Sequence, residues 1–157
     1  MKKTLMKSKL FKLNAMAMGL TLMGWTALSG LSSNAVAGEM SPSMAGAKVY
    51  ISNLKDGQSV APTFKIKFAI EGMKVAPAGT KEKHTGHHHL LIDLAQSPAL
   101  GQPLPSNANV KHFGKGQTET ELTLSPGKHT LQLLLGNYAH VPHSPAVMSQ
   151  KITITVK

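Results

Sequence analysis

The chain is 157 residues long, carries 17 basic residues against 7 acidic ones for a net charge of +10, and has no cysteine. Disulfides, thiolate metal ligands, a lipid on an N-terminal cysteine and a thiol nucleophile are therefore all excluded. Its basic residues other than histidine are all lysines, scattered along the chain. Without arginine's planar fork for phosphate and base edges, the surplus charge does not point to nucleic acid.

Residues 1–37 read as a secretory signal peptide. Lys2, Lys3, Lys7, Lys9 and Lys12 form a basic leader with no acid in it. A mostly apolar run follows from Ala15 to Leu31, and Ala35 and Ala37 match the small-residue cleavage pattern. Gly19, Thr21, Gly24 and Thr26 interrupt the run, which falls short of the ~20 strongly apolar residues of a span. No membrane span is then expected after cleavage, and a periplasmic or secreted location is. Five of the 17 basic residues leave with the leader, so the surplus falls from +10 to +5. The few aromatics beyond it, Tyr50, Phe64, Phe68, Phe113 and Tyr138, make a poor platform for sugar rings.

Residues 38–47, rich in Ser, Pro, Gly and Met, read as a flexible tether before a domain over 48–157. Met40 and Met44 in this tether are soft enough to ligate Cu(I) beside a histidine, although two methionines in a disordered tail need no such role. Lys48-Val49-Tyr50-Ile51 reads as a short strand and Asp56-Gly57 as a turn. From Pro62 to Ile70, Phe64, Ile66, Phe68 and Ile70 alternate with Thr63, Lys65, Lys67 and Ala69, the pattern of a half-buried antiparallel strand. Residues 72–83, with Pro77 and Gly79, form a loop.

The next strand starts in histidines: Gly86-His87-His88-His89-Leu90-Leu91-Ile92-Asp93. Successive side chains on a strand point to opposite faces. His88 therefore shares a face with Leu90, Ile92 and Leu94, which reads as the core. His87 and His89 share the other with Leu91 and Asp93, and are expected to be presented outward. Two imidazoles at i and i+2 stand ~7 Å apart at Cα, close enough to converge on one ion.

Residues 95–116 make a long Pro/Gly/Asn-rich connection of the kind that is often functional. It ends in Lys111-His112-Phe113-Gly114. Strands are expected over 117–124, 128–135 and 151–156, with a tight turn at Ser125-Pro126-Gly127. Leu-Ser-Pro-Gly-Lys-His before a strand resembles the corner of immunoglobulin-like sandwiches where a tyrosine makes an anchoring hydrogen bond, and His129 stands in that tyrosine's place. Residues 136–148 form a loop holding His140 and His143. Short strands, clean alternation and Pro/Gly turns together predict an all-β, immunoglobulin-like antiparallel β-sandwich, preceded by a signal-peptide helix.

Several stretches resemble one family of exported bacterial proteins. These are Gly-Met-Lys-Val-Ala-Pro-Ala-Gly (72–79), Thr-Gly-His-His-His-Leu-Leu-Ile-Asp (85–93), His-Phe-Gly-Lys-Gly-Gln-Thr-Glu (112–119), Pro-Gly-Lys-His-Thr-Leu-Gln-Leu (126–133) and Gly-Asn-Tyr-Ala-His-Val-Pro-His-Ser-Pro (136–145). The family is domain of unknown function 4399, and the resemblance runs over about 49–156. It implies a domain identity and brings no established activity.

From the residues themselves, the first functional expectation is a module that binds a divalent metal ion. His87 and His89 would supply two ligands, and His112, His140 and His143 would close the set, with His88, His129 and Glu119 as secondary candidates. Imidazole without thiolate points to copper or zinc, as Cu(II) or Zn(II). The competing reading is a structural, adhesion or assembly module of the cell envelope, with an envelope protein as partner and the histidines joined in a hydrogen-bond network. No catalytic motif is present: there is no G-x-S-x-G elbow and no cysteine nucleophile.

Overall fold

A computed structural model describes residues 38–157, and the expected signal segment, residues 1–37, lies outside them. The described residues are all-β, with nine strands and no helix. They are β1 (Lys48–Ile51), β2 (Ser59–Val60), β3 (Thr63–Glu71), β4 (Lys74–Val75), β5 (Thr85–Ile92), β6 (Val110–His112), β7 (Glu119–Thr123), β8 (Gly127–Gly136) and β9 (Ile152–Val156). Among the described residues, no helix is long and apolar enough to cross a membrane.

The strands form two sheets. One has three strands in the order β1-β3-β7. The other has six, in the order β2-β9-β8-β5-β4, with β6 also paired to β5. The pairings are antiparallel except for two short parallel ones, β2 with β9 and β4 with β5. The sheets share one core: Val49, Ile66, Phe68 and Leu122 from the smaller meet Leu90, Ile92, Leu131, Leu133, Leu135, Ile154 and Val156 from the larger. The alternation expected in β3 decides its facing. Ile66 and Phe68 are buried, while Lys65 and Lys67 face solvent.

The central strands break that alternation. All of β5 is buried, as are Leu131 to Gly136 of β8. A sheet can leave one face wet only if nothing packs on it. Here the outer face of β5 and β8 is covered, and Leu91, Leu134, Val110 and Leu104 form a second apolar cluster there. The expectation that His87 and His89 would be exposed is therefore corrected. They do point away from the main core, but the irregular chain around 94–112 and 137–148 closes over them.

The segment expected to be a flexible tether also differs. The Gly38 N–H donates to the Gly101 carbonyl at 3.0 Å, and the Ser144 N–H donates to the Ser41 carbonyl at 2.9 Å. The Asn137 side-chain amide donates to the Glu39 carbonyl at 2.8 Å. Gly38 is thereby hydrogen-bonded to the β5–β6 connection, and Glu39 and Ser41 to the loop after β8.

Candidate metal centre

Strand geometry gathers the first three imidazoles. His87 and His89 lie two residues apart on the outer face of β5 and are fully buried. The β5–β6 register sets His112 opposite His89. Directly paired residues project to the same side of a sheet, so the three rings meet. Their centroids lie 4.8 Å (87–89), 4.9 Å (87–112) and 5.1 Å (89–112) apart. One ring nitrogen from each falls within 4.8 Å of the others. Around a metal with M–N bonds of ~2.0–2.1 Å the nitrogens would stand roughly 3.3–3.6 Å apart. Small rotations of the rings close that difference.

A loop brings the fourth ring. After β8, Asn137 holds the turn from the inside: its side-chain carbonyl accepts from the Ala139 and Val141 N–H groups at 2.9 and 3.0 Å. His140 takes a left-handed conformation, φ 67°, fixed by a bond from its N–H to the Asn137 carbonyl and one from the Leu104 N–H to its own carbonyl, both 2.9 Å. Its ring then stands edge-on against His87 at 5.0 Å, His112 at 4.7 Å and His89 at 6.2 Å.

The other candidates are placed elsewhere. His88 faces the main core, its ring 5.3 Å from that of Phe68. His143 lies by the Gly86 end of β5, with Nε2 3.1 Å from the Thr85 carbonyl and Nδ1 3.5 Å from the Leu135 carbonyl. His129 bridges the Asp93 carboxylate at 2.7 Å and the Ser125 carbonyl at 2.9 Å. Glu119 is exposed on the three-stranded sheet, paired with Lys65 at 3.1 Å.

Unpartnered ring nitrogens set the cluster, and His88 on the core face, apart from His129, His143 and Glu119. Both ring nitrogens of His87 and of His89, and Nε2 of His112, are buried without a hydrogen-bond partner. Burying an unpaired polar group costs on the order of 1–3 kcal/mol, so such a group calls for a physical explanation. Burial, followed by the neighbouring imidazoles, pushes His87 down to about 4 and His89 down to about 3. His112 shifts the same way through burial and then His140. Near neutral pH the buried rings are uncharged, the form that ligates metals.

Three glycines make room for the imidazoles, and sequence reasoning passed over them. A β-carbon on Gly136 would lie 2.6 Å from Cε1 of His89. One on Gly86 would lie 2.9 Å from Cε1 of His143, and one on Gly114 would overlap the His112 ring. Their φ angles are not left-handed, so space, not backbone freedom, is what these glycines supply. Gly86 and Gly136 lie within strands, where an isolated glycine signals a close approach.

The family model described as Domain of unknown function (DUF4399) matches residues 66–157. The chain belongs to this family. Its match takes in β4 to β9 and every histidine of the cluster, and begins within β3. Comparison of this DUF4399 chain with curated proteins and with solved structures gave no match.

Proposed function

We propose that this DUF4399 chain is an exported, periplasmic or secreted metal-binding module with an immunoglobulin-like β-sandwich. His87, His89 and His112, with His140 as a fourth donor, would hold one copper or zinc ion. The carrying observation is the set of buried ring nitrogens that lack any partner yet lie within ligating reach of one another. An ion would satisfy one nitrogen of each ring. The competing hydrogen-bond network describes His129 and His143, whose nitrogens meet backbone carbonyls or a carboxylate. It does not describe the cluster.

The test is elemental analysis of the untagged protein purified from its own cell envelope. One equivalent of copper or zinc is expected, and the His87→Ala/His89→Ala double variant should carry none. Metal-free native protein that also fails to take up either ion in vitro would refute the reading.

A further inference from the structure

The charge of the cluster bears on which ion it holds. Resting on the metal-binding reading, we infer that the His87–His89–His112–His140 pocket is built for monovalent copper, Cu(I), in preference to a divalent ion. Sequence alone pointed to Cu(II) or Zn(II); the burial and the neutrality of the site argue otherwise.

The donors are all neutral. Among the described residues, the grouping of possible ligands at this place holds three histidines and no carboxylate. Three acids are held by other partners: Asp93 by His129 and the Thr130 N–H, Glu119 by Lys65, and Glu39 by Tyr138.

The walls are apolar. Leu91, Leu104, Val110 and Leu134 form the cluster on the same face, and His87 and His89 are fully buried. The cost of an unbalanced ion in such a medium rises with the square of its charge, so a dication is penalised roughly fourfold more than a monocation of similar size. The second shell points the same way. A ligand imidazole usually donates its other N–H to a carboxylate or carbonyl, which raises its basicity. Here neither nitrogen of His87 or His89 has such a partner. Cu(I) and Zn(II) are both filled-shell ions without a geometric preference of their own, so either can accept the two or three rings that the sheet already presents, and charge is what separates them. A dication would need to recruit hydroxide or another anion beside the buried His87 and His89 rings.

The experiment uses the full chain expressed with its own leader and purified without a polyhistidine tag. Cu(I) is titrated anaerobically against bicinchoninate, and Cu(II) and Zn(II) against chelators of known affinity. Imidazole sites ordinarily bind Cu(II) above Zn(II), so the two oxidation states of copper make the deciding comparison. Cu(I) is expected to bind at one equivalent and at least about 100-fold more tightly than Cu(II). X-ray absorption should give two or three nitrogen ligands. His112→Asp, which adds a carboxylate at the half-buried rim, should narrow that ratio by about tenfold or more. Cu(II) or Zn(II) binding as tightly as Cu(I) would overturn the inference and leave the metal reading standing, as would an unchanged ratio in folded His112→Asp. Failure to bind any of the three ions would overturn both.

Discussion

The imidazole of His89 occupies the space that a side chain at position 136 would need: a β-carbon on Gly136 would come 2.6 Å from Cε1 and 3.1 Å from Nδ1 of that ring. The two residues lie on neighbouring central strands, β5 and β8, so neither backbone can retreat without breaking the ladder. Gly136→Ala should therefore turn or displace the His89 ring rather than unfold the sheet. Outer-shell changes at metal sites typically cost 10–100-fold in affinity, and a loss of about that size is expected. Competition titration reads the affinity and the urea midpoint reads the fold. Wild-type affinity in the variant would mean that His89 is not a ligand.

His140 separates ligation from folding in the opposite way. It is a non-glycine residue held at φ 67°, a conformation costing roughly 1–2 kcal/mol for a residue with a β-carbon. Its backbone, not its ring, makes the bonds that close the loop: its N–H goes to Asn137 and its carbonyl receives the Leu104 N–H. His140→Gly should keep or raise the unfolding midpoint while metal affinity falls by about tenfold or more, as for loss of one donor. A destabilised variant with unchanged affinity would assign the ring a packing role.

How far the sequence reached depends on the kind of order involved. Period-two patterning located β1, β3, β5 and β9, because each is long or regular enough to alternate. It also assigned His88 correctly to the core side. The exposure of His87 and His89 was misjudged because their cover comes from residues 94–112 and 137–148, which have no period to read. Strands β2 and β4 have two residues each and β6 has three, too few to display alternation. The meeting of His112 with His89 depends on a cross-strand register that no local pattern encodes. Gly86 was legible at the start of the histidine strand, whereas Gly136 reads as the first residue of the loop 136–148 and lies at the end of β8. Their meaning required knowing which rings lie over them.

His88 tests the cost of an unpaired imidazole away from the cluster. It is fully buried beside Phe68, and both ring nitrogens lack partners. Burial pushes it down to about 4. Replacing it with a similarly sized apolar side chain removes the unsatisfied group and keeps the packing. His88→Leu should stabilise the metal-free protein by about 1–2 kcal/mol and leave metal affinity unchanged, since the ring faces the other side of the strand. Denaturant unfolding with a parallel metal titration checks both halves. A destabilised His88→Leu would show that the ring makes an interaction the apolar substitute cannot replace.

The titration of the metal-free protein should have two limbs of opposite sign. His87, His88 and His89 titrate near 4, 4 and 3 when folded but near ~6.5 when unfolded. Between about pH 6.5 and 4 the unfolded chain binds protons that the folded one refuses, so stability falls as pH is lowered. The loss is on the order of 3 kcal/mol for each imidazole carried through that window, at ~1.36 kcal/mol per pKa unit. His129 behaves oppositely. Both of its ring nitrogens face acceptors, the Asp93 carboxylate and the Ser125 carbonyl, which favours the doubly protonated ring. Its pKa is raised by the hydrogen bond to Asp93 first and that to Ser125 next. Its stabilisation is fully present below ~6.5 and fades as pH rises through the raised value. Urea midpoints measured from pH 4 to 9 should therefore pass through a maximum near neutrality, and His129→Gln should flatten the alkaline side alone. An acid side that stays level down to pH 4 would mean that the triple-histidine strand opens to water in solution, and the buried-ligand argument would fall with it.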